Sequence, residues 1–353
     1  MHKIHISTVG ARTPLGITAD TSMAAVRAGI GQISEHPFIV DQMGEPVMMA
    51  QDSQLSPWLT GPQRCIEMAT TALLEICRKL KPVWHGNWSI PTFLCMAEER
   101  PGWTQAHMLA VRDGLISRPM PIVFHPIEIV ALGHAAGLKA LEIAYTRIQA
   151  EKYELSAIIG VDSYWEHETL VWLDQNRQLA TSYHRGAFFP GEGAGAFIIA
   201  SDAVLRRLGL DSMAVVRGIG TAKETNTIKT DAICLGEGLT ECVRKAVMPL
   251  HLPDEAVEGI ICDINGERYR SEEWGFALLR IPEAFVDPTA YDVPASCWGD
   301  VGAASGPLFV TMAVTAAQRG WAKGMHYLIW TSSEGGQRAA AALALQNSPQ
   351  GGG

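Results

Sequence analysis

The stretch Ala131-Leu132-Gly133-His134-Ala135-Ala136-Gly137-Leu138-Lys139-Ala140-Leu141 decides how this chain is read. It surrounds one functional side chain, His134, with small residues. The β-branched run Pro121 to Val130 precedes it. Apolar residues at helical spacing follow: Leu138, Leu141, Ile143, Ala144, Tyr145 and Ile148. The pattern predicts a strand, a sharp turn and a helix, which is how a nucleophile elbow presents a side chain. Small residues let backbones approach closely there, and the free N–H groups of a helix start favour negative charge. An elbow usually carries Ser or Cys, and here the presented residue is His. Taken alone, a histidine among small residues reads first as a core or cap histidine.

Working outward, composition sets the bounds. The chain has 353 residues, 47% hydrophobic and 18% charged, enough for one large core or two fused halves. A net charge of −9 argues against a nucleic-acid footprint. Seven cysteines form no CxxC pair, which points to buried thiols in a reduced, cytoplasmic protein. The histidines lack metal-ligand spacing, so no metal and no cofactor are expected. Met1 to Ser7 reads as the approach to a strand and not as a signal peptide. No apolar run reaches transmembrane length.

In order, the periodicity predicts a strand over Ile4–Val9 and a helix capped at Thr18 or Asp20 and ending near Arg27. Residues 31–62, punctuated by Pro37, Gly44, Pro46, Pro57, Gly61 and Pro62, read as irregular. A helix over Gln63–Leu80, a strand over Thr92–Met96 and a helix over Gln105–Ile116 lead to the elbow. After it come a strand over Ser156–Val161 and a short helix over Glu168–Leu173. The cluster Gly191-Glu192-Gly193-Ala194-Gly195-Ala196 enters a strand Phe197–Ala200. It opens no helix, so it is not a dinucleotide loop. The same grammar then repeats: strand Ala214–Gly218, helix Gly238–Met248, strand Val257–Ile264, helix Ser271–Ile281. The small-residue turn Trp298 to Gly306 leads into a helix reaching Gln318, and a strand Tyr327–Thr331 follows. Trp165 to Glu168 and the charge-rich Glu267 to Glu273 read as solvated loops and caps. The tryptophans read as core, with any exposed subset marking a protein-binding face.

These motifs, in this order, resemble the β-ketoacyl synthases of the thiolase superfamily over nearly the whole chain. The opening Val9-Gly10-Ala11-Arg12-Thr13-Pro14-Leu15-Gly16 is similar to the family's first strand and loop, and Gly133 to Ala144 to its elbow and helix. Gly160-Val161-Asp162-Ser163, Gly191 to Gly195, Gly299 to Gly306 and Ser333 to Gln337 resemble its later signatures. The resemblance implies an α/β fold, a five-layered αβαβα sandwich of two similar halves. Residues 1–200 would form the first half, 201–345 the second and 346–353 a flexible tail. It also implies a homodimer pairing through Pro121 to Val130, with a heterodimer with an active synthase as the alternative.

The departures carry the functional argument. By the resemblance, His134 stands where the family has its nucleophilic Cys. Asn265 stands for the His of a His-Gly-Thr motif, and Asp300 for a His or Asn. Ala295 stands for a Lys, and Glu334 for the Phe of a gating loop whose Gly335 and Gly336 would border the substrate. Condensation needs a soft nucleophile and donors for an enolate. Imidazole does not reproduce a thiolate, and an ionised Asp300 would repel an enolate. Ordinary ketoacyl synthesis is therefore not expected. Two classes fit. One is a non-condensing binding or adaptor module, similar to chain-length-factor partners of active synthases or to the synthase-like proteins encoded with bacterial type VI secretion genes. Its partner would be a secretion effector, an adaptor or an acyl carrier protein. The other is a remodelled acyl-thioester hydrolase or acyltransferase using His134 and Asp300, with Glu334 nearby.

Overall fold

The computed structural model describes residues 2–84, 89–230 and 232–347. Two runs of five strands carry the architecture. The first comprises β1 (Ile4–Arg12), β2 (Ile90–Met96), β3 (Phe124–Ala131), β4 (Leu155–Ser163) and β5 (Glu192–Ser201). The second comprises β6 (Ala214–Lys223), β7 (Gly259–Cys262), β8 (Tyr291–Asp292), β9 (His326–Ser332) and β10 (Gln337–Leu345). Helices α1 (Gly61–Leu80), α2 (Gln105–Ser117) and α3 (Ala136–Gln149) alternate with the first run. Helices α4 (Glu237–Val247), α5 (Arg268–Arg280) and α6 (Ser305–Gln318) alternate with the second.

Both runs have one topology. In the first, β1 pairs antiparallel with β5 and β5 antiparallel with β4. Parallel pairs β4–β2 and β2–β3 follow. In the second, β6–β10 and β10–β9 are antiparallel, and β9–β7 and β7–β8 parallel. A seam at His5–Val215 and Ile6–Ala214 joins β1 to β6, so the strand order is β8-β7-β9-β10-β6-β1-β5-β4-β2-β3. Helices α3 and α6 pack against both five-stranded sections, α1 against the outer face of the first and α4 against that of the second. This is the five-layered α/β sandwich of two similar halves. Its central core lies around α3 and α6, with a flanking core under each outer layer.

Local chemistry explains the elements. Thr18 caps the helix Ala19–Arg27 in a capping box with Thr21. Pro62 sits in the first turn of α1, where its missing N–H costs nothing, and Arg78 and Lys79 sit in the last turn. Helix α6 is apolar all round and buried over Ser305–Ala317, which suits a helix between two sheets.

The structure corrects several sequence expectations. Residues 31–62 are not wholly irregular: Ile33–Val40 and Pro46–Ala50 form an antiparallel hairpin, with a register shift between Glu35 and Val40 that disguises the alternation. The glycines from Gly193 to Gly195 lie inside β5, not ahead of it, because α6 lies against this strand: a Cβ on Gly195 would meet the Leu308 backbone nitrogen at 2.7 Å. β10, an alanine-rich strand, was not expected. Helix α5 begins at Arg268, and its charged run is only partly solvated, with Arg268 and Glu272 exposed. Arg270 and Glu273 are each 1% exposed and Glu267 4%, because each finds an opposite charge. Trp165 is likewise buried. Trp103, Trp274, Trp298 and Trp330 are core, whereas Trp58 is exposed. Trp88 and residues 348–353 of the expected tail lie outside the described residues. Among the described residues no helix is long and apolar enough to cross a membrane.

Helices α3 and α6 cross at Gly137, where an added Cβ would sit 2.3 Å from Pro307 Cδ. Gly137→Ala is expected to lower stability by about 1–3 kcal/mol, the usual range for overpacking. Urea unfolding measures this, and a stability equal to the parent would show that the crossing can open without strain.

Candidate functional site

The site forms where the two halves present matching turns. In the first half, β3 ends at Ala131 and a 3₁₀ turn Gly133–Ala135 leads into α3. In the second, a 3₁₀ turn Gly302–Ala304 leads into α6. The preceding residues share a backbone conformation, with φ −128° and ψ 20° at Leu132 and φ −109° and ψ 16° at Val301. Gly133 and Gly302 both have positive φ, 60° and 49°, a region that favours glycine. A Cβ on Gly302 would also collide with Asp162 Oδ2 at 2.0 Å.

His134 sits on the first turn and Asp300 two residues before the second. His134 Nε2 lies 2.8 and 2.9 Å from the two carboxylate oxygens of Asp300. An ionised carboxylate only accepts, so Nε2 carries the proton. Asn265 Nδ2 donates to Asp300 Oδ2 at 2.6 Å, Gly302 N to Oδ1 at 2.8 Å and the Tyr164 hydroxyl to Oδ1 at 3.4 Å. The three residues expected from sequence as the family's triad positions are therefore in direct contact. Both Asp300 and His134 are buried. Burial opposes both charges, but each overcomes it through the other: Asp300 raises the imidazole above its ordinary pKa, and His134, Arg270 and Asn265 hold the Asp300 carboxyl well below the usual range. The pairing favours the imidazolium–carboxylate form.

A second layer supports it. Asn265 Oδ1 accepts from Glu267 N at 3.0 Å. Arg270 donates to Glu267 at 3.1 Å, to Asp263 at 2.9 Å and to the Ser332 carbonyl at 2.7 Å. The N–H of Ala135 donates to Ser333 Oγ at 2.8 Å, and that hydroxyl donates to the Leu132 carbonyl. One backbone N–H at the elbow is thereby occupied.

His134 borders a cavity of about 130 Å³, with Glu98, Glu99, Arg100, Asp162, Tyr164, Trp172, Lys229 and Glu334 among its lining. Arg100 pairs with Asp162 at 2.7 Å and lies over the Tyr164 ring. Glu334 accepts from Gln178 at 2.6 Å and pairs with Lys229 at 2.6 Å, and Lys229 holds its carboxyl below the ordinary range against the effect of burial. Glu334 thus borders the cavity but pairs away from His134. Gly335 and Gly336 do not line the cavity; Gly335 N donates to Glu98 at 3.1 Å and Gly336 N to the Ser333 carbonyl at 3.1 Å. None of the seven cysteines lines the cavity; all are free, and burial pushes the thiols of Cys65, Cys95, Cys242 and Cys262 up. Among the described residues, no group of three or more His, Cys, Asp or Glu is placed to hold a metal. Arg100, Tyr164, Trp172 and Lys229 were not foreseen as lining residues. The one signal for Arg100 was its place just past the end of a buried strand, where α/β folds put their ligand-facing loops.

No protein-family model matches the chain, and no curated protein matches its sequence. Solved structures do match it. The fold is that of the ketosynthases. One similar structure is a chain from a complex of a type II polyketide-synthase acyl-carrier protein with its ketosynthase, bound to the hexaketide (TM-score 0.79, 13% identity, 98% of this chain and 99% of that one). Another is the ketosynthase from module 6 of the bacillaene synthase of Bacillus subtilis 168 (0.76, 12%, 98% and 72%). A third is the ishigamide ketosynthase/chain length factor (0.72, 17%, 97% and 99%). Fold is retained at identities this low because the layers and the turns between them, more than individual side chains, define it.

The ion pair sets a pH window. Asp300 is depressed when folded, so its contribution is present above about pH 4 and is lost as pH falls through the folded value. His134 is raised, so its contribution is full below about pH 6.5 and is lost as pH rises through its higher folded value. In ¹⁵N NMR, His134 is expected to titrate with a midpoint above pH 6.5. A midpoint at or below 6.5 would contradict the pairing. Asp300→Asn, which strands a buried imidazole partner, is expected to destabilise by about 3 kcal/mol at pH 6, read by urea unfolding.

Proposed function

We propose that this chain is a non-condensing ketosynthase-fold protein that works as a binding module. The observation that carries this reading is the state of the elbow. The residue at the elbow is an imidazole whose Nε2–H is committed to Asp300, and Asp300 has both oxygens engaged by His134, Asn265, Gly302 and Tyr164. Nucleophilic attack needs a free lone pair on a group that can also leave, and Nε2 offers none. An enolate would form beside a carboxylate that repels it.

The finer reading concerns the partner. The sequence resemblance supports an effector or loading adaptor of type VI secretion. The neighbouring structures, one holding an acyl-carrier protein and one a chain length factor, support an acyl carrier protein or an active ketosynthase subunit. The open edge of β3 supports a homodimer. A second chemical reading has one observation in its favour: a His–carboxylate pair bordering a cavity is the arrangement of a general base, which would make this an acyl-thioester hydrolase or acyltransferase.

One experiment separates the readings. The purified chain is incubated with acyl and malonyl thioesters of N-acetylcysteamine and of an acyl carrier protein. The expected result is no ketoacyl product, no mass increase on the protein and no thioester loss above the buffer rate. An acyl adduct on His134, or hydrolysis that His134→Gln removes, would overturn the module reading in favour of the enzyme. His134→Cys is expected to accept an acyl group slowly yet still not to condense, because Asn265 and Asp300 remain.

A further inference from the structure

The hairpin Ile33–Val40 and Pro46–Ala50 lies outside the main sheet and turns large apolar side chains outward. Trp58 is 79% exposed, Met43 69% and Phe38 52%. The Phe38 and Trp58 rings nevertheless stack on each other, with centroids 4.7 Å apart. This surface is firmly built from beneath. His36 Nδ1 accepts from the backbone N–H groups of Phe38 and Ile39, both at 3.2 Å, and its ring lies against buried Trp165 at 4.3 Å. The guanidinium of Arg64 lies over the same Trp165 ring at 4.2 Å and binds Glu192 at 2.5 and 2.6 Å. At the hairpin turn the Asp41 carboxylate accepts from Met43 N at 2.8 Å and Glu45 N at 3.0 Å, while Gln42 N donates to Asp174 at 2.8 Å. The backbone that displays these side chains is therefore ordered before anything docks, which removes part of the entropy that binding would otherwise cost. Clustered, preordered aromatic and Met side chains at a surface are what interface hot spots are made of.

Charge identifies the occupant. Between Arg27 and Arg64 the chain carries Glu35, Asp41, Glu45 and Asp52 and no lysine or arginine. Asp52 pairs with Arg12, and Asp41 is spent on the turn. Glu35 and Glu45 are exposed, and neither takes part in an ion pair among the described residues. The rim is acidic. A second copy in a two-fold contact would set these carboxylates against their own kind, and an anionic membrane would be repelled in the same way. We infer that this hairpin docks a segment of a partner protein whose apolar residues are flanked by Lys or Arg. The inference adds to the binding-module reading but stands on residues that reading does not use.

The test uses two fluorescein-labelled helical peptides with identical leucine positions, one with Lys and the other with Glu at every remaining position. Anisotropy is measured against the full chain and its variants. The Lys peptide is expected to bind saturably at one to one and to weaken at least tenfold in Phe38→Ala/Trp58→Ala, in Met43→Gln and in raised salt. Glu35→Lys/Glu45→Lys should weaken it similarly, whereas Glu241→Lys, on α4, should not. The Glu peptide is expected not to bind. Met43→Gln alters an exposed turn residue, so it reports even if the double aromatic variant unfolds. Equal binding of both peptides, or binding indifferent to the patch variants, would overturn the inference. So would a concentration-dependent dimer in sedimentation equilibrium that Phe38→Ala/Trp58→Ala abolishes, because the occupant would then be a second copy. The His134 resonance should be unchanged in every patch variant, so failure here is separable from failure of the elbow reading.

Discussion

Two helices begin head to head between the sheets, and each is capped by the other half of the molecule. Ser333, just beyond β9, accepts the N–H of Ala135 ahead of α3. Asp162, in β4, accepts the N–H of Ala303 ahead of α6 at 3.0 Å. Free N–H groups at a helix start must find acceptors when buried, and here each half supplies one to the other. The exchange fixes the halves against each other more specifically than apolar packing alone would. The close contact of Gly137 with Pro307 follows from it. So does the meeting of His134 and Asp300, 166 residues apart, because each stands beside one of the paired turns.

That position has a consequence for chemistry. A buried charge is tolerated only when paired and hydrogen-bonded. The interior here satisfies the condition by chaining charges: His134 to Asp300, Asp300 to Asn265, Asn265 to Glu267, Glu267 to Arg270 and Arg270 to Asp263. Arg338 and Glu273 close a separate buried pair at 2.6 and 2.7 Å. Groups so fully committed hold structure well and react poorly, because a reaction must first break contacts that have no replacement in a dry interior. On the proposed reading, the junction of the two turns is a structural joint.

Much of this was legible from local pattern. The elbow was readable because small residues around one polar side chain, between a β-branched run and a helical stripe, admit few structures. The repeat was readable because the second turn, Gly302 to Gly306, uses the same small residues. What escaped depended on partners far along the chain. Glu267 to Glu273 looks like a solvated run until Asp263, Ser332 and Arg338 are brought to it. β10 is largely alanine, which favours helix when isolated; it is a strand because β6 and β9 flank it and pair with it along its length. Lys229 and Trp172 reach the cavity from loop and helix segments with no motif of their own. The hairpin was hidden by its prolines and by its register shift.

The ten strands end differently at their two extremities. β3 offers an eight-residue border, while β8, at the other end, is only two residues long. Backbone groups at a sheet border recruit further strands, and a sheet with two good borders can polymerise without limit. This one has a single border long enough to zip. Were two copies to join there, like to like, the border would be used up on both, and growth would stop at a pair with no second end from which a fibre could extend.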